Sequence, residues 1–374
     1  MIEYKDQMKM SFSIGPFEDF INEVNMSMLK IVEATGNIMP AIELHFKADE
    51  PRLIAYINET HSLKIQLGVK EIRYDCEYRI YSKNIDRESE GNFNIVLYAL
   101  MNNSNYLLTP IRRTLGNCTE SGEDISGLEI LLSVAKENFS RVETNIEKSQ
   151  DSMLRIQHGI SNKQFIDELW ETIYCPDTFV LTGITANAKF KVVDLKALSS
   201  QNPKWKFSYK PSSDSDITPQ KTFIRDNSGV NNYLFGYIRQ RQFFNEDSGE
   251  FYVSTTGNST LLSMAESFNR DDIWMLNTQA AVNDNMYNEY WEVRDTNLSN
   301  FALFSSVNDQ FTFDPDWKDV EVLDLAYIEA PNPAARPEEA YSGLAIVCGV
   351  SRVYYNKKWT TYISLNREGF NQIL

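Results

Sequence analysis

The C-terminal segment constrains the fold of this chain most. A β-rich run from Tyr341 to Tyr355 and a second from Trp359 onward flank the polar turn Asn356-Lys357-Lys358, which reads as a hairpin. In the second run Trp359, Thr361, Ile363 and Leu365 alternate with Thr360, Tyr362, Ser364 and Asn366. Side chains of a strand point to opposite faces with a period of two, so one face of this strand is dry and the other wet.

The same period appears earlier in the chain. Ile42, Leu44 and Phe46 alternate with Glu43, His45 and Lys47, and the alternation returns at Leu63–Leu67, Tyr78–Ile80 and Phe93–Met101. Several short strands between polar turns predict a barrel or curled sheet over residues 38–112. Before it, Phe17, Phe20, Ile21, Val24, Met28, Leu29 and Ile31 follow a helical spacing, which predicts an amphipathic helix or docking arm within residues 1–37. After it, Ser126 with Glu129 and Ser161 with Gln164 carry the spacing of capping boxes. Each opens an apolar stripe, Leu128, Leu131, Leu132, Ala135 and Phe139 in the first and Phe165, Ile166, Leu169, Trp170 and Ile173 in the second. Pro176 should end the second helix, and Thr178–Leu198 reads as a hairpin turning near Ala186-Asn187-Ala188.

Turn formers crowd Ser199–Pro203 and Pro211–Asp216 and mark a seam. Beyond it the sequence predicts strands at Asn232–Phe244, Phe311–Phe313 and Val320–Ile328, a short helix at Ser259–Phe268, and a loop at Asn332–Glu339. The expected class is α+β, mainly β. The divisions are an arm or helix at 1–37, a first barrel at 38–112, a helix-containing middle domain at 113–230 and a second barrel with the hairpin at 231–374. At 374 residues the chain exceeds one ordinary core, in keeping with that division.

Composition removes several function classes. With 42% hydrophobic and 24% charged residues the chain is globular rather than disordered. No apolar run is long enough to span a bilayer, and Met1–Asp6 does not open a secretory signal, so synthesis in a cytoplasm is expected. Cys76, Cys118, Cys175 and Cys348 are too scattered for a metal knuckle or a disulfide framework and read as reduced core thiols; sequons such as Asn117-Cys118-Thr119 then carry no glycan. The net charge of −16 argues against a broad grip on nucleic-acid phosphates. On charge alone the acidity more simply keeps a large protein in solution, while an acidic wall would also let DNA slide past.

Catalytic patterns are missing. There are three histidines, His45, His61 and His158, in no zinc or iron spacing, and no phosphate-binding glycine loop or nucleophile elbow is present. Asp314, Asp316 and Asp319, and Asp214 with Asp216, are spaced as in some cation loops but lack the rest of such a loop. Glu289 and Glu292 stand among Tyr287, Tyr290 and Trp291, a composition that could serve sugar chemistry but more simply packs an aromatic helix. Arg239 and Arg241, followed by Phe243 and Phe244, read as a protein contact or a solvated strand face. No catalytic residue, metal or cofactor is therefore expected.

Two separated regions resemble baseplate hub proteins of contractile phage tails. One is Gln157-His158-Gly159-Ile160-Ser161-Asn162-Lys163-Gln164-Phe165-Ile166-Asp167-Glu168-Leu169-Trp170 followed by Phe190–Leu198; the other is the terminal hairpin ending Leu365-Asn366-Arg367-Glu368-Gly369-Phe370-Asn371. Such hubs are similar to the N-terminal part of VgrG spikes. The resemblance covers residues 38–210 and 300–374 and implies two tube-like β-barrels per chain. Three chains would then form a pseudo-sixfold ring that adapts a trimeric spike to the sixfold tail tube and lines a DNA channel. It implies a homotrimer in the virion, with a spike protein, a tail tube protein and baseplate wedge proteins as partners, DNA passing without specific binding, and no membrane anchor. A tail-tip or tube-terminating protein of another tail type and a carbohydrate-active virion enzyme remain alternatives.

Overall fold

The computed structural model describes residues 9–21, 25–58, 60–68, 74–89, 91–116, 125–175, 178–208, 221–227, 230–231, 234, 237–256, 270–282, 290–313, 319–329 and 342–369. The first strands are β1 (Lys9–Ile14), β2 (Phe17–Glu18), β3 (Met26–Ala34) and β4 (Ala41–Ala48), with α1 (Pro51–Tyr56) before β5 (Ser62–Gly68), β6 (Tyr74–Ser89) and β7 (Asn92–Met101). After α2 (Ser104–Leu108) come β8 (Ile111–Leu115), α3 (Gly127–Asn138), β9 (Arg141–Thr144), β10 (Arg155–Ile160), α4 (Asn162–Thr172), β11 (Val180–Ile184), β12 (Lys189–Asp194) and α5 (Leu195–Ser199). The rest comprises β13 (Trp205–Ser208), β14 (Lys221–Asp226), β15 (Tyr237–Asn245), β16 (Phe251–Thr256), β17 (Arg270–Val282), α6 (Tyr290–Phe304), β18 (Val307–Phe313), β19 (Leu325–Glu329), β20 (Gly343–Tyr355) and β21 (Lys358–Arg367).

The molecule is mainly β, and one large sheet runs through it in the order β14-β18-β21-β20-β3-β4-β7-β6-β5-β1-β2, with β19 and β13 joined through β20. Its junction is β20. The first residues of β20 pair with β19, from Gly343 opposite Ile328 to Ile346 opposite Leu325. Its later residues pair with β3, from Gly349 opposite Ala34 to Tyr355 opposite Met28. β21 accompanies both stretches, with a bulge between Val347 and Gly349 where the partner on the other edge changes. A chain end thus cements the first strands to the last.

The sequence reading holds for most elements. Ile42, Leu44 and Phe46 of β4, Leu63, Ile65 and Leu67 of β5, and Trp359, Ile363 and Leu365 of β21 are buried, as their alternation requires. Asn356 and Lys357 both adopt left-handed backbone, which gives the tight two-residue turn between β20 and β21. Both capping boxes form: the Ser126 hydroxyl accepts from Glu129 N–H while the Glu129 carboxylate accepts from Ser126 N–H, and Ser161 with Gln164 repeats the exchange. The β11–β12 hairpin turns where expected and Asp194 then caps α5.

Among the described residues the helix expected between Phe17 and Ile31 does not form: Phe17–Glu18 are strand β2 and Met26–Ala34 are strand β3, paired on both sides. Leu29, Ile31 and Glu33 all point inward, and that buried carboxylate hid the period of two. Pairing with β4 and β20 overrides the local spacing. The strand expected from Val320 starts only at Leu325, because Glu321 and Asp324 occupy a turn. The helix expected at Ser259–Phe268 and the turn-rich 211–216 stretch lie outside the described residues.

Three cores result. The largest joins the inner faces of β1 and β3–β7 to α3 and α4 and also takes Tyr354 and Trp359 from the terminal hairpin. A second lies inside β13, β18, β19, β20 and β21. A third fills the seam between them, where Phe179, Leu181 and Leu195 meet Phe304, Leu323 and Ile346.

Candidate functional site

The described residues place no nucleophile, base and substrate pocket together; what the fold builds with most care is a set of buried charges along that seam. They arise from charged residues at inward strand positions. Glu33 shares its face with Leu29 and Ile31, Arg352 with Val350 and Tyr354, Asp309 with Val307 and Phe311, and Arg367 with Ile363 and Leu365. An isolated buried charge is very costly, so each must find a partner.

Glu33 and Arg352, each 2% exposed, meet at 3.5 Å across the β3–β20 joint. Arg352 also donates to the Val320 carbonyl at 2.6 Å and lies 5.4 Å from the Tyr74 ring centroid. The other oxygen of Glu33 accepts from Ala186 N–H in the β11–β12 turn. One carboxylate therefore touches the first sheet, the middle hairpin and the last strands. Burial pushes the Glu33 carboxyl above the ordinary range, against the pull of Arg352. Arg367 grips Asp309 within the second core, Nε to Oδ2 at 2.9 Å and Nη2 to Oδ1 at 3.3 Å.

A second cluster ties β12 to the turn before β19. Lys191 Nζ reaches Asp324 Oδ1 at 2.9 Å and Glu321 Oε2 at 3.0 Å, and Lys189 reaches Glu321 at 2.9 Å. Lys204 Nζ and the Trp205 indole N–H add bonds of 2.9 and 2.8 Å to Asp324 Oδ2. Burial alone would raise the Asp324 carboxyl, but Lys191, Lys204 and Trp205 outweigh it and hold it below the ordinary carboxylate range. Glu321 behaves likewise, and Lys191 is held above the usual range despite its burial.

Helix ends are fixed the same way. Buried Asp151 bonds Arg155 at 2.7 Å, Gly127 N–H at the start of α3 at 3.1 Å and Tyr174 N–H after α4 at 3.1 Å. A Cβ on Gly127 would stand 2.1 Å from the Asp151 carboxylate, so this approach needs glycine. Asn297 of α6 donates to the carbonyls of Trp170, Glu171 and Ile173, which closes the C-terminal end of α4, and Arg294 adds a 2.8 Å bond to Glu171.

The residues with catalytic or metal-binding composition are dispersed. Glu292 lies half-buried in the first turn of α6, where Arg155 stands 5.7 Å from the Tyr290 ring centroid and Tyr290 packs edge-on against Trp291. Glu289, Tyr287, Asp214, Asp216, Asp314 and Asp316 lie outside the described residues. Asp319 is described, exposed, and acts electrostatically on Arg352 and Tyr74. His45 bonds Glu43 at 2.9 Å on the half-exposed face of β4, and His61 bonds Asn58 at 3.0 Å. Arg239 and Arg241 fall in β15, between β16 and β17. Cys76, Cys175 and Cys348 are free thiols, and burial pushes that of Cys76 up to about 11. Cys118 lies outside the described residues. Among the described residues no helix is long and apolar enough to cross a membrane.

No protein-family model and no curated protein matches the sequence. Solved structures match along its whole length. The tail protein from Neisseria meningitidis MC58 superposes with a TM-score of 0.60 at 9% identity, over 96% of this chain and 97% of that one. The 43 kDa tail protein of prophage MuSo2 from Shewanella oneidensis gives 0.60 at 10% identity, over 96% and 98%. The E. coli c3393 protein, a component of the type VI secretion system with structural similarity to T4 tail proteins gp27 and gp5, gives 0.51 at 8% identity, over 98% and 80%. The chain has the fold of these phage tail and secretion-system proteins.

Proposed function

We propose that this chain is a structural component of a tail baseplate, a central hub that adapts a trimeric spike to a sixfold tube. The observation that carries the reading is the structural correspondence over 96% of this chain and 97% of a tail protein. One barrel would be built on the strands of residues 38–112 with β1 and β3, the other on those of 231–374 with β13 and β14, and the middle residues would pack between them. The seam of buried charges supports this role, since an adapter must keep its two halves at a fixed angle under load. A closed ring of three such chains would present six similar modules to a tube. The net charge of −16 suits a channel wall that DNA crosses without binding. Spike, tube and wedge proteins are the partners this role calls for, and its place is the virion. Light scattering across a concentration series, alone and with a candidate spike protein, tests it: three chains per particle, formed alone or on adding the spike, are expected, and a dimer stable at every concentration would overturn the hub reading.

A further inference from the structure

The segment Gln157-His158-Gly159 ends a two-stranded ribbon that neither the sheet nor the seam uses. β8 and β10 pair with each other and with no other described strand. Arg112 faces His158 and Thr114 faces Ile156 across the ribbon, and all four side chains are exposed. The opposite face carries Gln157 and Arg155, both buried. Neither strand contains an acidic residue, although the whole chain carries a net charge of −16.

The three arginines of the ribbon are not equivalent. Arg155 is paired with Asp151, and Arg113 is held by both oxygens of Glu137 at 2.9 Å. The backbone of Arg112 pairs with His158, but its guanidinium makes no hydrogen bond or ion pair among the described residues. It is nonetheless positioned. Gly159 occupies a bulge with φ +77°, and a Cβ there would stand 3.2 Å from Arg112 Nε, so the guanidinium stem rests across backbone that only glycine leaves bare. Together with Arg113, Thr114, Ile156, Gln157 and His158 it lines a groove of about 490 Å³; the nearby carboxylates are Glu137, taken up by Arg113, and Glu168, which interacts electrostatically with His158.

We propose that this ribbon face is a docking site for a short, extended, acidic segment of another protein. A planar guanidinium held in place and left unpaired matches a carboxylate bidentately. Ile156 and Thr114 beside it offer a neutral surface for the segment's intervening side chains. Nucleic acid fits less well, because phosphate tracking needs several free cations and this face offers one arginine and a histidine. A second copy of the chain fits less well, because two bodies of −16 repel, whereas a slender tail feels chiefly the charges within a Debye length of roughly 8–10 Å.

Fluorescence anisotropy on the full chain tests the site, with a labelled peptide of alternating Glu and Ser, its Gln-for-Glu counterpart, and a labelled oligothymidine. The Glu peptide is expected to bind at low salt and the Gln peptide not, with affinity falling about tenfold or more in Arg112→Glu, as loss of a charge-assisted pair requires. Arg112 is exposed, so its melting curve should be unchanged; Gly159→Ala, which displaces the guanidinium, should weaken binding less. Absence of Glu-peptide binding, or equal binding by Arg112→Glu, overturns the proposal. Tighter oligothymidine binding lost in the same variant would assign the face to nucleic acid instead. An altered particle mass in Arg112→Glu with peptide binding intact would assign it to a second copy.

Discussion

At the scale of single residues, the seam depends on Lys191, whose ammonium pairs with two carboxylates at once. Lys191→Met would keep much of the stem's packing but leave Asp324 and Glu321 short of a partner, and breaking a buried pair from one side costs on the order of 3–5 kcal/mol. The pH dependence follows from direction. Both carboxyls titrate lower in the folded chain than usual, so their stabilisation is fully present above the unfolded-chain value of about 4 and is lost as pH falls through the folded value. Urea melts should therefore show a large gap between native chain and Lys191→Met at neutral pH that narrows below pH ~4; a gap of the same size at pH ~3 would remove the ion pairs from the explanation. A second residue carries strain. Lys357 holds φ at +61° in the hairpin turn, where a non-glycine residue costs roughly 1 kcal/mol or more. Lys357→Gly is expected to raise the melting temperature by a few degrees, and a lower one would show that the Lys357 side chain contributes more than its backbone costs.

At the scale of elements, β21 shows how one alternation serves two cores. Its dry face was legible from Trp359, Thr361, Ile363 and Leu365, but not that Trp359 would join Tyr354 in the first core while Ile363 and Leu365 fill the second. Trp359→Ala and Leu365→Ala should each cost ~2–5 kcal/mol, and Thr360→Ala on the wetter face less than about 1 kcal/mol. Six residues of strand separate the first two by roughly 20 Å, so their effects should add within about 0.5 kcal/mol in the double variant. Melts of the four variants check this, and strong non-additivity would mean that the cores are coupled through the strand. Elements with their own signals were readable: α3 and α4 announce themselves by capping boxes and stripes that no distant contact opposes. β3 was misread because Glu33 interrupts its inward face. The aromatic helix read around Tyr290 and Trp291 is α6, but its run to Phe304 was not legible because its buried side includes Asn297, Ser299 and Asn300, polar residues useful only once α4 presents its open carbonyls. The buried charges left one trace in the sequence, a charged letter in register with apolar ones on four strands, but which letter meets which is fixed by the sheet order.

At the scale of the whole molecule, the division into arm, barrels and middle meets a sheet that does not stop at their borders. β3 near the start of the chain needs β20 near its end, a contact between residues such as Glu33 and Arg352 that closes nearly the entire chain. Such non-local pairing forms late and slowly, since the loop must close before the contact rewards it. Residues 1–230, cut at the border of the proposed second barrel, would retain β1–β14 and their local signals yet lose every partner across the seam. Glu33 would be left without Arg352, Lys191 without Asp324 and Glu321, α4 without Asn297, and the first core without Tyr354 and Trp359. The edge of β3, with Leu29 and Ile31 beneath it, would then stand open as a template for aggregation. The fragment is expected to be recovered as aggregate, or as a soluble species without a cooperative melt, whereas the full chain melts in one transition seen alike by tryptophan fluorescence and circular dichroism. A soluble monomeric fragment with a cooperative melt would show that the first half folds by itself and that the seam serves only to orient two independent bodies. Aggregation instead would mean that the halves are made stable by being joined, which fits the proposed adapter, whose two modules must never move apart.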